Sequence, residues 1–179
     1  EKPSPEQVPS SMVNISGHFI ADQTLLFAAL DHTVSTTDDQ YEQALSLLMK
    51  EKEFVVHEYE GSFLSLKYPW HVLDIMNTVL DKLVPLKGEH CEIKQNVIIE
   101  GPVYIGNNVR IFENTKIVGP VYIGDNTIVG NNNVIRHSYL GANCVTGFNT
   151  DITRSYIGDS CWFHSNYIGD SVLEGNISM

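Results

Sequence analysis

In the stretch CWFHSNYIGD, residues 161–170, a histidine and a tyrosine interrupt a phrase that elsewhere keeps glycine and small residues. His164 directly follows Phe163, where neighbouring phrases place Gly, and Tyr167 stands just before Ile168. Imidazole titrates near pH ~6.5, so it can accept or give up a proton close to neutrality. His137 in VIRHSYLG is a similar interruption with a weaker claim, and surface solvation is its default. Cys91, Cys144 and Cys161 are odd in number and contain no CxxC pair, so neither a disulfide framework nor a zinc ribbon is indicated. Cys144 and Cys161 instead hold the small-residue place four residues after an aliphatic one, shared with Val109, Thr127 and Val172, which points to core filling.

The pattern that positions these residues has a period of six. Ile93, Ile99, Ile105, Ile111, Ile117, Ile123, Val129 and Ile135 stand six apart, and the series runs on through Leu140, Thr146, Ile152, Ile157, Phe163, Ile168 and Leu173 in steps of five or six. Neither a helix nor an alternating strand has this period; it is the hexapeptide repeat of a parallel β-helix. Each short strand points its aliphatic residue inward, and the Gly, Asn and Asp that follow accept the turn geometry other residues resist. Three such strands close one triangular coil. GPVYIG occurs at 101–106 and again at 119–124, an interval of eighteen, so the two copies should lie directly above one another. A sandwich of short hairpins would instead show turn signals at variable spacings of about 8–12 residues.

Residues 1–88 have a different texture, that of mixed α/β structure, and the β-helix domain spans 89–179. MVNISGHFI is β-rich, while DQTLLFAAL and DDQYEQALSLLMKEK predict helices, the second capped by Asp38 or Asp39. EFVVHEYEGSFLSLK predicts two short strands around Gly61. YPWHVLDIMNTVLDKLV predicts a helix with Pro69 in its first turn and Val72, Leu73, Met76, Val79, Leu80 and Leu83 on one face that needs a cover. Trp70 and Trp162 are expected to pack, the first at the seam between the halves.

Composition narrows the functions. Of 179 residues, 42% are hydrophobic, enough for a real core. Eleven Lys plus Arg against 22 Asp plus Glu give a net charge of -11, a poor match to a phosphate backbone, so nucleic acid is excluded as a partner. No apolar run approaches the roughly 20 residues that span a bilayer, and the chain opens on EKPSPEQVPSS instead of a basic segment followed by an apolar one. A soluble cytoplasmic protein without a membrane partner is expected.

The two halves together resemble the sugar-1-phosphate nucleotidylyltransferases that carry a C-terminal left-handed β-helix, such as the glucose-1-phosphate thymidylyltransferase-like proteins and N-acetylglucosamine-1-phosphate uridylyltransferases. EKP at 1–3 is similar to the family's sugar-binding segment, YPWHVLD at 68–74 to the helix leading out of the catalytic domain, and 91–179 to the β-helix. The resemblance implies an α/β remnant of a nucleotidylyltransferase domain followed by a left-handed parallel β-helix, with Glu1 and Lys2 contacting sugar and phosphate. The parent would join a sugar 1-phosphate to a nucleoside triphosphate with Mg²⁺ and release pyrophosphate. Without the family's Gly-rich loop, this stretch is expected to be a C-terminal portion inactive in that reaction, with no metal ligand of its own. Two places depart from the pattern. Ser65 in GSFLSLKYPW stands where the family has a metal-binding Asp, with Lys67 at the Gly position. Ile15-Ser16-Gly17 stands where it has Asn-x-Gly, with Asn14 one place out of step.

The second resemblance is to bifunctional members that acetylate an amino sugar, whose β-helix carries H-x-x-Y-[LIV]-G-D; His164, Tyr167, Gly169 and Asp170 match it. It implies His164 as general base, Tyr167 beside it, and acetyl-CoA as the donor. At the place of the sugar-phosphate-binding Lys stands Thr153, with Arg154 adjacent and able to meet a phosphate. The partners so implied are a sugar phosphate and a nucleoside triphosphate, in a homotrimer. Two alternatives to the nucleotidylyltransferase stand beside it: an acetyltransferase acting on an amino-sugar phosphate, and a non-catalytic trimerisation module.

Overall fold

The computed structural model describes Glu6, Met12, Asn14, Ile15 and residues 17–179. Two compact units divide the chain, Glu1–Phe63 and Leu64–Met179.

The first unit is built on two helices. α1 spans Gln23–Asp31, and its N-cap Asp22 accepts hydrogen bonds from the Thr24 amide at 2.9 Å and hydroxyl at 2.6 Å. α2 spans Gln40–Glu51 and buries Ala44, Leu45 and Leu48. Its N-cap is Asp39, one of the two expected residues, but that carboxylate does not cap the backbone; it accepts from Ser35 Oγ, Thr37 Oγ1 and Gln43 Nε2. The strands expected in MVNISGHFI and around Gly61 are not formed among the described residues. Val55 and Val56 there are 87% and 75% exposed. β-propensity is realised only when a partner strand and a covered face exist, and a lone hairpin has neither.

The second unit opens with α3, His71–Leu80, whose first turn follows Pro69 with Val72 N–H donating to the Pro69 carbonyl at 3.1 Å. Met76 and Leu80 are buried, but Val79 is 60% exposed and does not belong to the covered face. It lines an open groove with Leu83, Tyr104, Tyr122 and Tyr139. Trp70, expected to pack at a seam, is 60% exposed and stacks on Tyr68 with ring centroids 4.6 Å apart.

From Leu86 onward the chain winds as a parallel β-solenoid. Strands of two or three residues form three parallel sheets of six, five and five strands, in which each strand pairs with its counterparts one coil away. The first sheet runs from Leu86–Lys87 to Val172–Leu173, the second from Glu92–Ile93 to Trp162–Phe163, and the third from Ile98–Glu100 to Tyr167–Gly169. The two GPVYIG copies stack in register, Val103 on Val121, Tyr104 on Tyr122 and Ile105 on Ile123. Coils shorten along the axis: stacked partners are eighteen residues apart at Asn108 and Asn126, seventeen at Asn126 and Asn143, and sixteen at Arg154 and Asp170.

The period of six converts into burial. Ile111, Ile117, Ile123, Ile135, Leu140, Ile152, Ile157 and Phe163 are fully buried, each contributing about 1.5–3 kcal/mol. Ile99 departs from the series at 39% exposed, because it lies in the edge strand of the third sheet and has a neighbour on one side only. Cys144 and Cys161 are buried core residues, as their spacing predicts, and their thiols donate to the carbonyls of Gly158 and Glu174. At corners, residues such as Asn108, Asn126 and Asn143 adopt left-handed φ of 56°, 60° and 58°, a conformation Asn tolerates better than most. Their side-chain amides hydrogen-bond one another from coil to coil at 3.0 and 3.2 Å.

Candidate functional site

The end of the second sheet leads into the corner His164–Ser165–Asn166 and then into the strand Tyr167–Gly169. The corner is held by the coil beneath it and by the chain terminus. The Thr150 hydroxyl, itself buried, donates to the His164 carbonyl, and Ser165 Oγ donates to the Phe148 carbonyl at 3.0 Å. The His164 amide donates to the Met179 carbonyl at 3.0 Å. Thr150 is fixed in turn, because its amide donates to Asn133 Oδ1 at 2.7 Å, and Asn133 Nδ2 donates to Thr146 Oγ1 at 2.6 Å. Gly147, directly below, is required here: a Cβ on it would meet the Phe163 carbonyl at 2.8 Å and His164 Cα at 3.0 Å. The backbone of His164 is thus set from inside the core while its side chain stands exposed.

Trp162 lies beside it. Trp162, a packing residue by its hydropathy, is 56% exposed, because it occupies the outward position of its strand, next to inward Phe163. Its ring centroid is 6.3 Å from that of His164. Tyr167 is 69% exposed at the start of the next strand, and its phenol lies over Gly169, where an added Cβ would come within 2.6 Å of the hydroxyl oxygen.

Arg154 sits across the strand from His164, at the corner that follows the third sheet. Its Nε and Nη2 donate to the two oxygens of Asp170, each at 2.6 Å, and Nη1 donates to Thr153 Oγ1 at 3.3 Å. The fork of hydrogen bonds from Arg154 holds the Asp170 carboxyl below the usual carboxylate range, and Asp170 in turn raises the guanidinium. Both residues have left-handed φ, 47° and 48°. His137 occupies the corresponding corner one coil below Arg154, exposed, with φ 45°.

Of the residues singled out in the sequence, Gly169, Asp170 and Arg154 gather at one end of the last strand of the third sheet, His164 precedes the other, and Tyr167 opens that strand with its phenol reaching over Gly169. Glu1 and Lys2 lie outside the described residues. Ser65 is exposed in an irregular segment, and among the described residues no group of three His, Cys, Asp or Glu side chains converges to hold a metal ion. Two features escaped the sequence: the exposed Trp162 beside His164, and the Arg154–Asp170 pair. The pair was findable in principle, since residues sixteen apart are neighbours once the coil has shortened. The exposure of Trp162 carried no such signal.

Residues 102–137 match the family described as bacterial transferase hexapeptide (six repeats). A bifunctional sugar-1-phosphate nucleotidylyltransferase/acetyltransferase of Sulfurisphaera tokodaii is 29% identical over 103 residues, which are 56% of this chain and 25% of that protein. This chain therefore spans about a quarter of the curated relative's length. Among solved structures, a mutant of perosamine N-acetyltransferase from Caulobacter crescentus in complex with CoA and GDP-perosamine aligns over 60% of this chain and 56% of that one. Its identity is 17%, and at a TM-score of 0.27 the likeness carries no weight for fold or function. Residues 102–137 thus carry the hexapeptide repeat, within a fold that is a parallel β-solenoid from Leu86 onward. More narrowly, the repeat family, the curated relative and the solenoid fit the C-terminal β-helix part of a sugar-1-phosphate nucleotidylyltransferase-like protein, the resemblance drawn from the motifs. Among the described residues no helix is long and apolar enough to cross a membrane.

Proposed function

We propose that this chain is the left-handed β-helix part of a cytoplasmic protein of nucleotide-sugar synthesis, with α1 to α3 as the remnant of a nucleotidylyltransferase domain. Within it, residues 154–170 serve transfer of an acetyl group to an amino-sugar phosphate. The observation that carries this is His164: a side chain left open to solvent on a corner whose backbone is fixed by Thr150 and Met179. Acetyl-CoA supplies the activated thioester, and the unblocked imidazole fits a donor that must be reached from outside. As the amine attacks the thioester carbonyl, His164 takes its proton; the C–S bond breaks and the CoA thiolate leaves, taking that proton from the imidazolium, while Tyr167 orients the acceptor through its phenol and Arg154 meets the sugar phosphate. General base catalysis of this kind is worth about 10²–10⁴ in rate. A His164→Ala variant is expected to lose thiol release from acetyl-CoA in the presence of an amino-sugar 1-phosphate by a factor in that range. Turnover equal to wild type would remove His164 from the role.

Nucleotidyl transfer by the parent is a second function, supported by the name of the Sulfurisphaera tokodaii relative and by the YPWHVLD segment. Mg²⁺ belongs to that reaction, but Ser65, an exposed hydroxyl, is a poor seat for it, since this hard cation prefers carboxylate oxygens. No step is therefore assigned to it in this chain, which is expected to be inactive in nucleotidyl transfer. A pyrophosphate-release assay over several nucleoside triphosphates and sugar phosphates, run on the full-length parent, tests this: background for every combination would discard nucleotidyl transfer.

A further inference from the structure

We infer that Asp170 is a built-in stand-in for an anionic ligand: its carboxylate occupies the guanidinium fork of Arg154 and so sets the threshold at which a phosphate can be captured beside Tyr167. This rests on the placement of Arg154 in the proposed site and names a residue that would tune it. Three observations carry it. First, the geometry is that of anion recognition. Arg154 presents Nε and Nη2 in parallel to the two oxygens of Asp170, the same planar fork that engages phosphate oxygens. The other guanidinium–carboxylate pair of the solenoid is built differently. Arg136 gives both of its hydrogen bonds to Asp151 through Nη2 alone, while its Nε is buried without a partner.

Second, the pair is within reach of a solute. The side chains of Arg154 and Asp170 are 56% and 59% exposed, against 40% and 37% for Arg136 and Asp151. Third, Asp170 can leave without disturbing the coil. The corner is secured by main-chain bonds, Arg154 N–H to the Arg136 carbonyl and Asp170 N–H to the Thr153 carbonyl, both 3.1 Å, and neither involves the carboxylate. Arg154 meanwhile pays for a left-handed φ at a corner where the first coil uses Gly101, which is an unusual place for a long side chain unless the side chain is put to use. Thr153 Oγ1 also accepts from Nη1, at 3.3 Å, a contact that does not involve the carboxylate.

A phosphate dianion and the Asp170 carboxylate thus compete for one fork, and removing the carboxylate's charge should favour the phosphate. The chain has three arginines, Arg110, Arg136 and Arg154, so the Nε–H signals of protein labelled with ¹⁵N-arginine can be assigned by single replacements. Inorganic phosphate and an amino-sugar 1-phosphate would be titrated separately into wild type, Asp170→Asn and Asp170→Ser. Both variants are expected to bind either ligand about fivefold or more tightly, the effect of removing one repulsive unit charge at near contact in a water-like medium. The Arg154 Nε–H signal should move on titration, the Arg136 signal should not, and the gain should vanish when Arg154→Gln is added. Unchanged or weakened binding in both variants, or binding that leaves the Arg154 signal in place, overturns the proposal. Failure of the acetyl-transfer function is distinguishable: tighter phosphate binding with no acetyl transfer by wild type removes that function and leaves the masked fork, whereas transfer without tightening does the reverse.

Discussion

At the scale of single residues, the polar side chains inside the solenoid are held as tightly as the apolar ones. Asn133 is fully buried, donates to Thr146 and accepts from the Thr150 amide. Asn133→Ala would strand both partners without water, at a cost of about 1–3 kcal/mol. Urea unfolding checks it, the midpoint shift multiplied by m giving that amount, and because Thr150 holds the His164 carbonyl, the same variant should also loosen the candidate site. Cys144 gives a pH-dependent prediction. Burial pushes its thiol up to about 11, against 9.0 for a free thiol. Below pH 9 both folded and unfolded chains keep the proton and the contribution of the neutral thiol is fully present. Between 9 and 11 the unfolded chain releases a proton that the fold retains, so stability falls, by up to about 1.4 kcal/mol per unit of separation. Urea unfolding at pH ~8 and ~10 should show this loss, and Cys144→Val should reduce it, leaving the part that the half-buried Tyr139, raised to about 12, begins to add near pH ~10; an identical slope in the variant would exclude Cys144 as a source.

At the scale of elements, position within the stack decides what a side chain is worth. Ile135 is fully buried between coils, whereas Ile99 is 39% exposed in the edge strand. Truncating Ile135 to Ala is expected to cost about 2–5 kcal/mol, and truncating Ile99 distinctly less, as read from thermal or denaturant unfolding of the two variants side by side. The period of six made this part of the structure legible from the sequence, since it states which residues point inward, that GPVYIG lies on GPVYIG, and that Cys144 and Cys161 fill core. It does not state what covers an outward residue. Val79 on α3 and Trp162 on its strand read as packing residues and are exposed, because hydropathy records the tendency of a side chain to be buried but not the presence of a neighbour to bury it. The strand-like stretch around Gly61 failed for the same reason, lacking any partner edge among the described residues. For the site, the motif gave His164 and Tyr167 by pattern. The hold of Asp170 on Arg154 depends on coil length, and coil length changes by single residues at corners that the pattern leaves loose.

At the scale of the molecule, three flat faces of stacked strands invite side-by-side association, and the proposed homotrimer has a direct check. Light scattering of the 20.0 kDa chain should report three times that mass, while a monomer would count against the trimer and against any site completed between copies. One face carries its own reporter. Tyr104, Tyr122, Tyr139 and Tyr156 stack with centroids 4.7, 4.6 and 5.0 Å apart and planes tilted by no more than 9°. Four near-parallel phenols held at that spacing are an ordered row of chromophores, so their transitions couple and their near-ultraviolet circular dichroism depends on the coils remaining in step. Loss of that coupled near-ultraviolet signal on heating would report the coils slipping out of step.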